Sequence, residues 1–205
     1  MSRDDLKRLS HRLSSILRHQ PEGLPMDAAG WVPIDALLAR VGVPREALDA
    51  VVAENNKSRF TVRGDQVRAC QGHSLASTPV TREGLEASWS EDLEHELLWH
   101  GTSLAALEPI AREGILPGER SHVHLAAATD SAVGKRAGVD ALLAVDTKRL
   151  REKGFRVFVS ENGVRLAREV PPGCIAGVAP GTRRAEAELP PLAARLGLPL
   201  RGARA

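Results

Sequence analysis

Apolar residues recur at three- and four-residue spacing from the start of the chain: Leu6, Leu9, Leu13, Ile16 and Leu17, with charged residues on the other positions. This periodicity predicts an amphipathic helix, and Ser2 with Asp5 fits its capping box. Pro21 forbids continuation, so Arg18 and His19 fall in the last turn, where the helix dipole favours cations. An extended piece at Trp31 and Val32 follows, then a short helix over 34–40. A longer helix runs from Pro44 to Asn55, with Pro44 suited to the first turn. Residues 59–62 and 66–70 read as two strands joined by a tight turn at Arg63, Gly64 and Asp65. Three helices and then a small hairpin is the order of a winged-helix module, which by itself does not establish function.

From Leu75 to Glu94 the pattern dissolves into Ser, Thr, Pro and acidic residues, which predicts a linker. Beyond it short segments alternate: strands at 96–100, 122–127, 141–146, 155–160, 164–170 and 174–179, and helices at 103–114, 129–138 and 148–154. The expected architecture is α+β. Residues 1–75 form a winged-helix-like lobe, 76–94 a linker and 95–180 a mixed α/β lobe. Residues 181–205 form a tail, partly disordered, with a short helix near Leu192 to Leu196.

Composition narrows the partners. The 205 residues carry 28 basic and 26 acidic side chains, a net charge of +2, so nucleic-acid affinity must come from local clustering. Aromatics make up 3% and tyrosine is absent, which argues against a base-stacking platform. Cys70 and Cys174 have neither zinc nor disulfide spacing and read as buried thiols in a reducing cytoplasm. The first residues are charged and no apolar run is long enough for a membrane span. These features predict a cytoplasmic protein, with no membrane partner. No dinucleotide or P-loop glycine motif is present.

Four segments carry candidate chemistry: LRHQPE with Arg18 and His19, VRACQGHS with Arg68, LWHGTS with His100, Gly101 and Thr102, and RSHVHL with Arg120, His122 and His124. On the wing strand, alternation puts Val67 and Ala69 on one face and Arg68 and Cys70 on the other. HGTS lets a ligand approach the glycine backbone while the hydroxyls cap a helix; by itself a plain helix start is the simpler account. In HVHL, alternation puts both histidines on one polar face and Val123 and Leu125 toward the core. Structural hydrogen bonding explains such a pair more simply than zinc, for which no local carboxylate or cysteine stands at useful spacing. No metal site is expected.

LRHQPE, VRACQGHS, LWHGTS, RSHVHL, VGKRAG and SENGV occur in the order and approximate spacing of the RNA 2'-phosphotransferase family, and the resemblance covers about Leu6 to Ile175. It implies a winged-helix-like RNA lobe and an ADP-ribosyltransferase-like lobe. It also implies an Arg-His-Arg-Arg tetrad, which falls on Arg18, His19, Arg68 and Arg120, one member lying beyond the linker. NAD is the implied co-substrate, held by His100, Gly101, Thr102, His124 (His122 being the other candidate), Asn162 and Gly163. The implied reaction removes an internal RNA 2'-phosphate, of the kind left at a transfer-RNA splice junction, in two steps. The phosphate displaces nicotinamide from NAD, and the neighbouring ribose hydroxyl then takes the phosphate as a cyclic ester, leaving a 2'-hydroxyl. The expected enzyme is a monomer that consumes NAD and needs no metal.

Three positions depart from the pattern: Trp99 stands for Tyr, Ala126 for Ser and Arg165 for Trp. Two further readings stay open, ADP-ribosylation of terminal phosphates on RNA or DNA, and a winged-helix regulator with an NAD-sensing lobe. The regulator is disfavoured by its third helix, which is acidic and apolar where a major-groove reader needs Arg, Asn or Gln.

Overall fold

The structure, a computed structural model, describes residues 1–53, 58–131, 133–134 and 138–202. It falls into two compact units, Met1–Trp89 with Glu119–Ser121, and Ser90–Gly118 with His122–Ala205. Helices and small antiparallel sheets make an α+β protein.

In the first unit, α1 (Arg3–His19) buries Leu6, Leu9, Leu13, Ile16 and Leu17, the residues its periodicity selects. Its start is closed by the expected capping box: Asp5 N donates to Ser2 Oγ at 3.2 Å and Ser2 N to Asp5 Oδ2 at 3.0 Å. β1 (Val32–Pro33), α2 (Ile34–Val41) and α3 (Arg45–Ala53) follow, then β2 (Phe60–Arg63) and β3 (Gln66–Ala69). The expected end of the third helix at Asn55 lies outside the described residues. The sheet order is β1-β3-β2, with Val67 opposite both Val32 and Val62.

Residues 76–89, expected as linker, fold as part of this unit. Thr81 Oγ1 accepts from Gly84 N at 3.0 Å and caps the short helix α4 (Arg82–Glu86). Val80, Leu85 and Trp89 are buried, and Trp89 Nε1 donates to the Cys70 carbonyl at 3.2 Å. This segment covers the second face of β3. Val67, Arg68, Ala69 and Cys70 are therefore all buried, and the two-faced strand expected from alternation is covered on both sides. Three apolar anchors spaced by polar residues are too few for a periodic signal, yet each buried Leu-sized side chain contributes about 1.5–3 kcal/mol.

The second unit begins with β4 (Ser90–Glu91) and β5 (Leu97–Thr102). A 3-10 turn at Leu104–Ala106 leads into α5 (Leu107–Glu113), and β6 (Val123–Leu125), β7 (Ala141–Asp146), α6 (Thr147–Glu152), β8 (Phe158–Val159), β9 (Arg165–Ala167), β10 (Ile175–Pro180) and α7 (Arg183–Leu196) complete it. The strands form two antiparallel sheets, β10-β7-β5 and β4-β8-β9-β6. β7 is central in the first, which explains its unbroken apolar run ALLAV, buried throughout. Trp99 and Ala126 exchange backbone bonds at 2.9 and 2.8 Å, tying β5 to the end of β6.

Two expectations change here. The segment 129–138 was expected to be helical; residues 132 and 135–137, half of VGKRAG among them, lie outside the described residues, and the described remainder is turn, bend and irregular backbone. The tail is not unpatterned: α7 buries Ala185, Leu189 and Ala193, four residues apart, with Thr182 as N-cap. Pro190 and Pro191 sit inside it, and they masked the helical signal.

Candidate functional site

The first cluster is built on the end of α1. Arg18 is half-buried and His19 exposed, both in the last turn. The Ser74 amide donates to the Arg18 carbonyl at 2.9 Å, so the loop after β3 satisfies one of the carbonyls the helix end leaves open. Ser74 also forms an antiparallel bridge with Arg120, and Ser121 N donates to the His73 carbonyl at 3.0 Å. Arg82 Nε holds the Ser121 carbonyl at 3.0 Å. Arg120 was expected beyond the linker; Glu119–Ser121 instead belongs to the first unit. All four tetrad residues lie in one compact unit.

Electrostatics mark this cluster as anion-seeking. Burial and the charges of Arg59 and Arg120 push the Arg18 guanidinium down to about 10, which leaves it cationic at neutral pH. Its Nε is buried with no hydrogen-bond partner among the described residues. His19 is held below its usual value by partial burial and by Arg18 and Arg120, against a smaller opposing effect of Glu119. An incoming anion relieves the mutual repulsion and the desolvation together.

Arg68 takes a different place from its companions. Only 1% exposed, it donates through Nη1 to the Ala29 carbonyl at 2.9 Å and to Ser88 Oγ at 2.7 Å. Its guanidinium lies 4.7 Å from the Trp31 ring centroid, and Arg63 stacks on the same ring at 4.4 Å. Arg18, His19 and Arg120 thus gather at the exposed end of α1, with Arg68 in the interior.

His73, inside VRACQGHS but given no role by the sequence, lies between these groups. It is fully buried, and neither ring nitrogen has a hydrogen-bond partner among the described residues. Burial and the charges of Arg18, Arg68 and His19 push it down to about 3, so it is a neutral imidazole. Gly30, at φ +85°, makes room for it: a Cβ there would stand 2.7 Å from His73 Nε2. The only sequence signal was its place in a motif with Arg68.

The second cluster is in the other unit. His100, Gly101 and Thr102 lie on β5 opposite Leu143, Leu142 and Ala141. His100 Nδ1 is 3.0 Å from the His124 carbonyl, which only accepts, so Nδ1 carries the proton and a neutral ring has its lone pair on Nε2. His124 is half-buried on β6 opposite Leu166. His122 is not on a polar face. It is 1% exposed, just ahead of the strand, with its ring edge-on to Phe158 at 6.4 Å and 77°.

Asn162 and Gly163 occupy the turn between β8 and β9. Gly163 has φ +77°. Its amide donates to the Ser160 carbonyl at 2.8 Å, and Ser160 Oγ donates to Asn162 Oδ1 at 2.8 Å. Arg165 opposite Leu125 sets this turn beside Ala126, the residue bonded to Trp99. The register therefore brings His100, His124, Asn162 and Gly163 to one end of the sheets. With Thr102 on the same strand as His100, the group offers imidazole, hydroxyl, amide and backbone donors and acceptors, a set suited to ribose hydroxyls and carboxamides. Among the described residues no three His, Cys, Asp or Glu gather to hold a metal. Among them, too, no helix is long and apolar enough to cross a membrane.

Comparison with known sequences places the chain among transferases. It belongs to the RNA 2'-phosphotransferase, Tpt1 / KptA family, whose sequence model matches residues 4–169. The chain is 41% identical over 178 residues to a "Probable RNA 2'-phosphotransferase" of Burkholderia lata, covering 82% of this chain and 88% of that one. A protein of the same description in Pseudomonas aeruginosa strain PAO1 is 40% identical over 182 residues, covering 83% and 96%. One in Streptomyces coelicolor is 41% identical over 180 residues, covering 83% and 94%.

Proposed function

We propose that this chain removes an internal RNA 2'-phosphate by transferring it to the ADP-ribose part of NAD, giving 2'-hydroxyl RNA, ADP-ribose 1'',2''-cyclic phosphate and nicotinamide. The observation that carries the reading is Arg18: a half-buried cation whose Nε has no hydrogen-bond partner among the described residues, crowded by Arg59 and Arg120. Such a site is completed by a phosphate. The helices and hairpin of the first unit support a winged-helix-like RNA lobe, and the two antiparallel sheets of the second support an ADP-ribosyltransferase-like lobe.

His100, Gly101, Thr102, His124, Asn162 and Gly163 would hold NAD, which supplies when bound the sugar carbon that accepts the phosphate and the nicotinamide that departs. Arg18 and Arg120 orient the phosphate with paired N–H donors and stay charged while negative charge builds on it. The phosphate is already anionic, so no general base is needed to make it a nucleophile. Before an anion binds, partial burial with Arg18 and Arg120 favours the neutral ring of His19, which then offers one donor and one acceptor beside the arginines. Arg68 strengthens the positive field from the interior, where charge is poorly screened.

The test is nicotinamide release from NAD in the presence of an oligonucleotide carrying one internal 2'-phosphate. Release must require the phosphate, and the same oligonucleotide with a 2'-hydroxyl must be inert. Release driven instead by terminal phosphates would replace this reading with terminal ADP-ribosylation.

A further inference from the structure

Asn162 and Gly163 sit on the turn that follows Ser160, whose Oγ also donates to the Val164 carbonyl at 3.2 Å. Apart from the Gly163 and Ser160 contacts above, Ser160 N donates to the Val164 carbonyl at 3.0 Å. A glycine in the left-handed region contributes no side chain to fix such a turn. The Gly163 carbonyl, however, is held from outside it. Arg165 Nη1 donates to that carbonyl at 2.7 Å, and Arg165 Nε donates to Asp92 Oδ2 at 3.0 Å.

Asp92 is a firm anchor. Its side chain is 3% exposed, yet its pKa is lowered: burial works to raise it, and hydrogen bonds from the His95 backbone and ring and from Arg165 outweigh that. Glu94 N and His95 N each donate to Oδ1 at 3.1 Å, and His95 Nδ1 lies 2.9 Å from Oδ2. The His95 carbonyl in turn accepts from Thr147 Oγ1, the first residue of α6, and Arg151 Nη1 donates to the Asp92 carbonyl at 3.3 Å. The chain of contacts runs from α6 through Asp92 to the turn.

We propose that Arg165 is a positioning residue, which clamps Gly163 to Asp92 and thereby sets the shape in which Asn162 and Gly163 receive NAD; this rests on the reading that NAD is the co-substrate. A guanidinium is suited to the task because its donors diverge in a rigid plane, so one side chain serves a carbonyl and a carboxylate at once. Glutamine or tryptophan at this position cannot satisfy both acceptors in that geometry. Lysine keeps the charge and a single mobile donor group.

The experiment compares wild type, Arg165→Gln and Arg165→Lys in NAD kinetics with the 2'-phosphorylated oligonucleotide, in amide exchange at Ser160 and Gly163, and in thermal unfolding. In the glutamine variant KM for NAD is expected to rise about tenfold, the factor equivalent to 1.4 kcal/mol. Its kcat stays near wild type and both turn amides exchange faster; lysine restores part of each effect. Unchanged KM and exchange in a folded glutamine variant would overturn the proposal, as would faster exchange with unchanged KM. If the glutamine variant does not fold, the lysine variant decides by the same two readouts. A wild type that does not consume NAD overturns the underlying reading instead, and is recognised in the wild-type arm alone.

Discussion

The Ser74 amide donates to the Arg18 carbonyl at 2.9 Å, and the same residue bridges to Arg120. One backbone position thus ties together two arginines of the cationic cluster, Arg18 and Arg120. The preceding residue extends the arrangement, since the His73 carbonyl holds Ser121.

Because Ser74 acts through its main chain, its side chain is dispensable and its N–H is not. Ser74→Ala is expected to keep 2'-phosphate turnover within a few fold, whereas Ser74→Pro, lacking the donor, lowers it about 100-fold, as displacements near 1 Å do in reacting geometries. Steady-state kinetics on both folded variants checks this.

Gly30 and Gly72 separate two kinds of glycine. Both have positive φ, but a Cβ on Gly30 meets His73 Nε2 at 2.7 Å while one on Gly72 meets Arg18 no closer than 3.5 Å. Gly72→Ala is expected to lose about 1–2 kcal/mol for backbone conformation alone. Gly30→Ala adds overpacking and loses about 2–5 kcal/mol in all. Urea unfolding of both measures the difference.

His73 imposes an acid limb on stability. Its folded pKa of about 3 lies below the ordinary histidine value, so in between the unfolded chain binds the extra proton and stability falls as pH falls. The groups facing it, Arg18, Arg68 and His19, all oppose its protonation. Between pH 7 and pH 5 this residue is expected to remove about 2 kcal/mol. His73→Leu cannot take up the proton and should show a correspondingly shallower decline, read by urea unfolding at both pH values.

Arg120 is exposed beside Arg18, and we propose that, besides orienting the phosphate, it favours the second step. Arg120→Ala is expected to accumulate ADP-ribosylated RNA, with the second step slowed about 100-fold, the order of losing one charge-stabilising donor. Single-turnover gels with labelled oligonucleotide show it. Complete loss of the first step would reassign the residue.

Much of this was legible in the sequence, and the rest was hidden for physical reasons. α1, its capping box and the placement of Arg18 and His19 follow from local spacing and from Pro21. Arg68 was visible as a strand arginine, but its burial depends on Ser88 and Trp89, in a segment too polar to show its role as a cover. The position of Arg120 rests on its long-range bridge to Ser74 and on the bond from neighbouring Ser121 N to the His73 carbonyl, which leave no trace in local pattern. His73 was hidden because its partner is a glycine that supplies space. Arg165 stood out as a departure, while its bond to Asp92 spans 73 residues.

The central claim is that the cluster around Arg18 binds the 2'-phosphate itself. It is tested most directly by the Kd of an oligonucleotide with one internal 2'-phosphate against its 2'-hydroxyl twin, measured without NAD on wild type and Arg18→Ala. The phosphorylated strand should bind wild type at least about tenfold more tightly, the scale of a charge-assisted hydrogen bond, and the variant should lose that preference. Equal binding of both strands by wild type, or a preference that survives in Arg18→Ala, would contradict it.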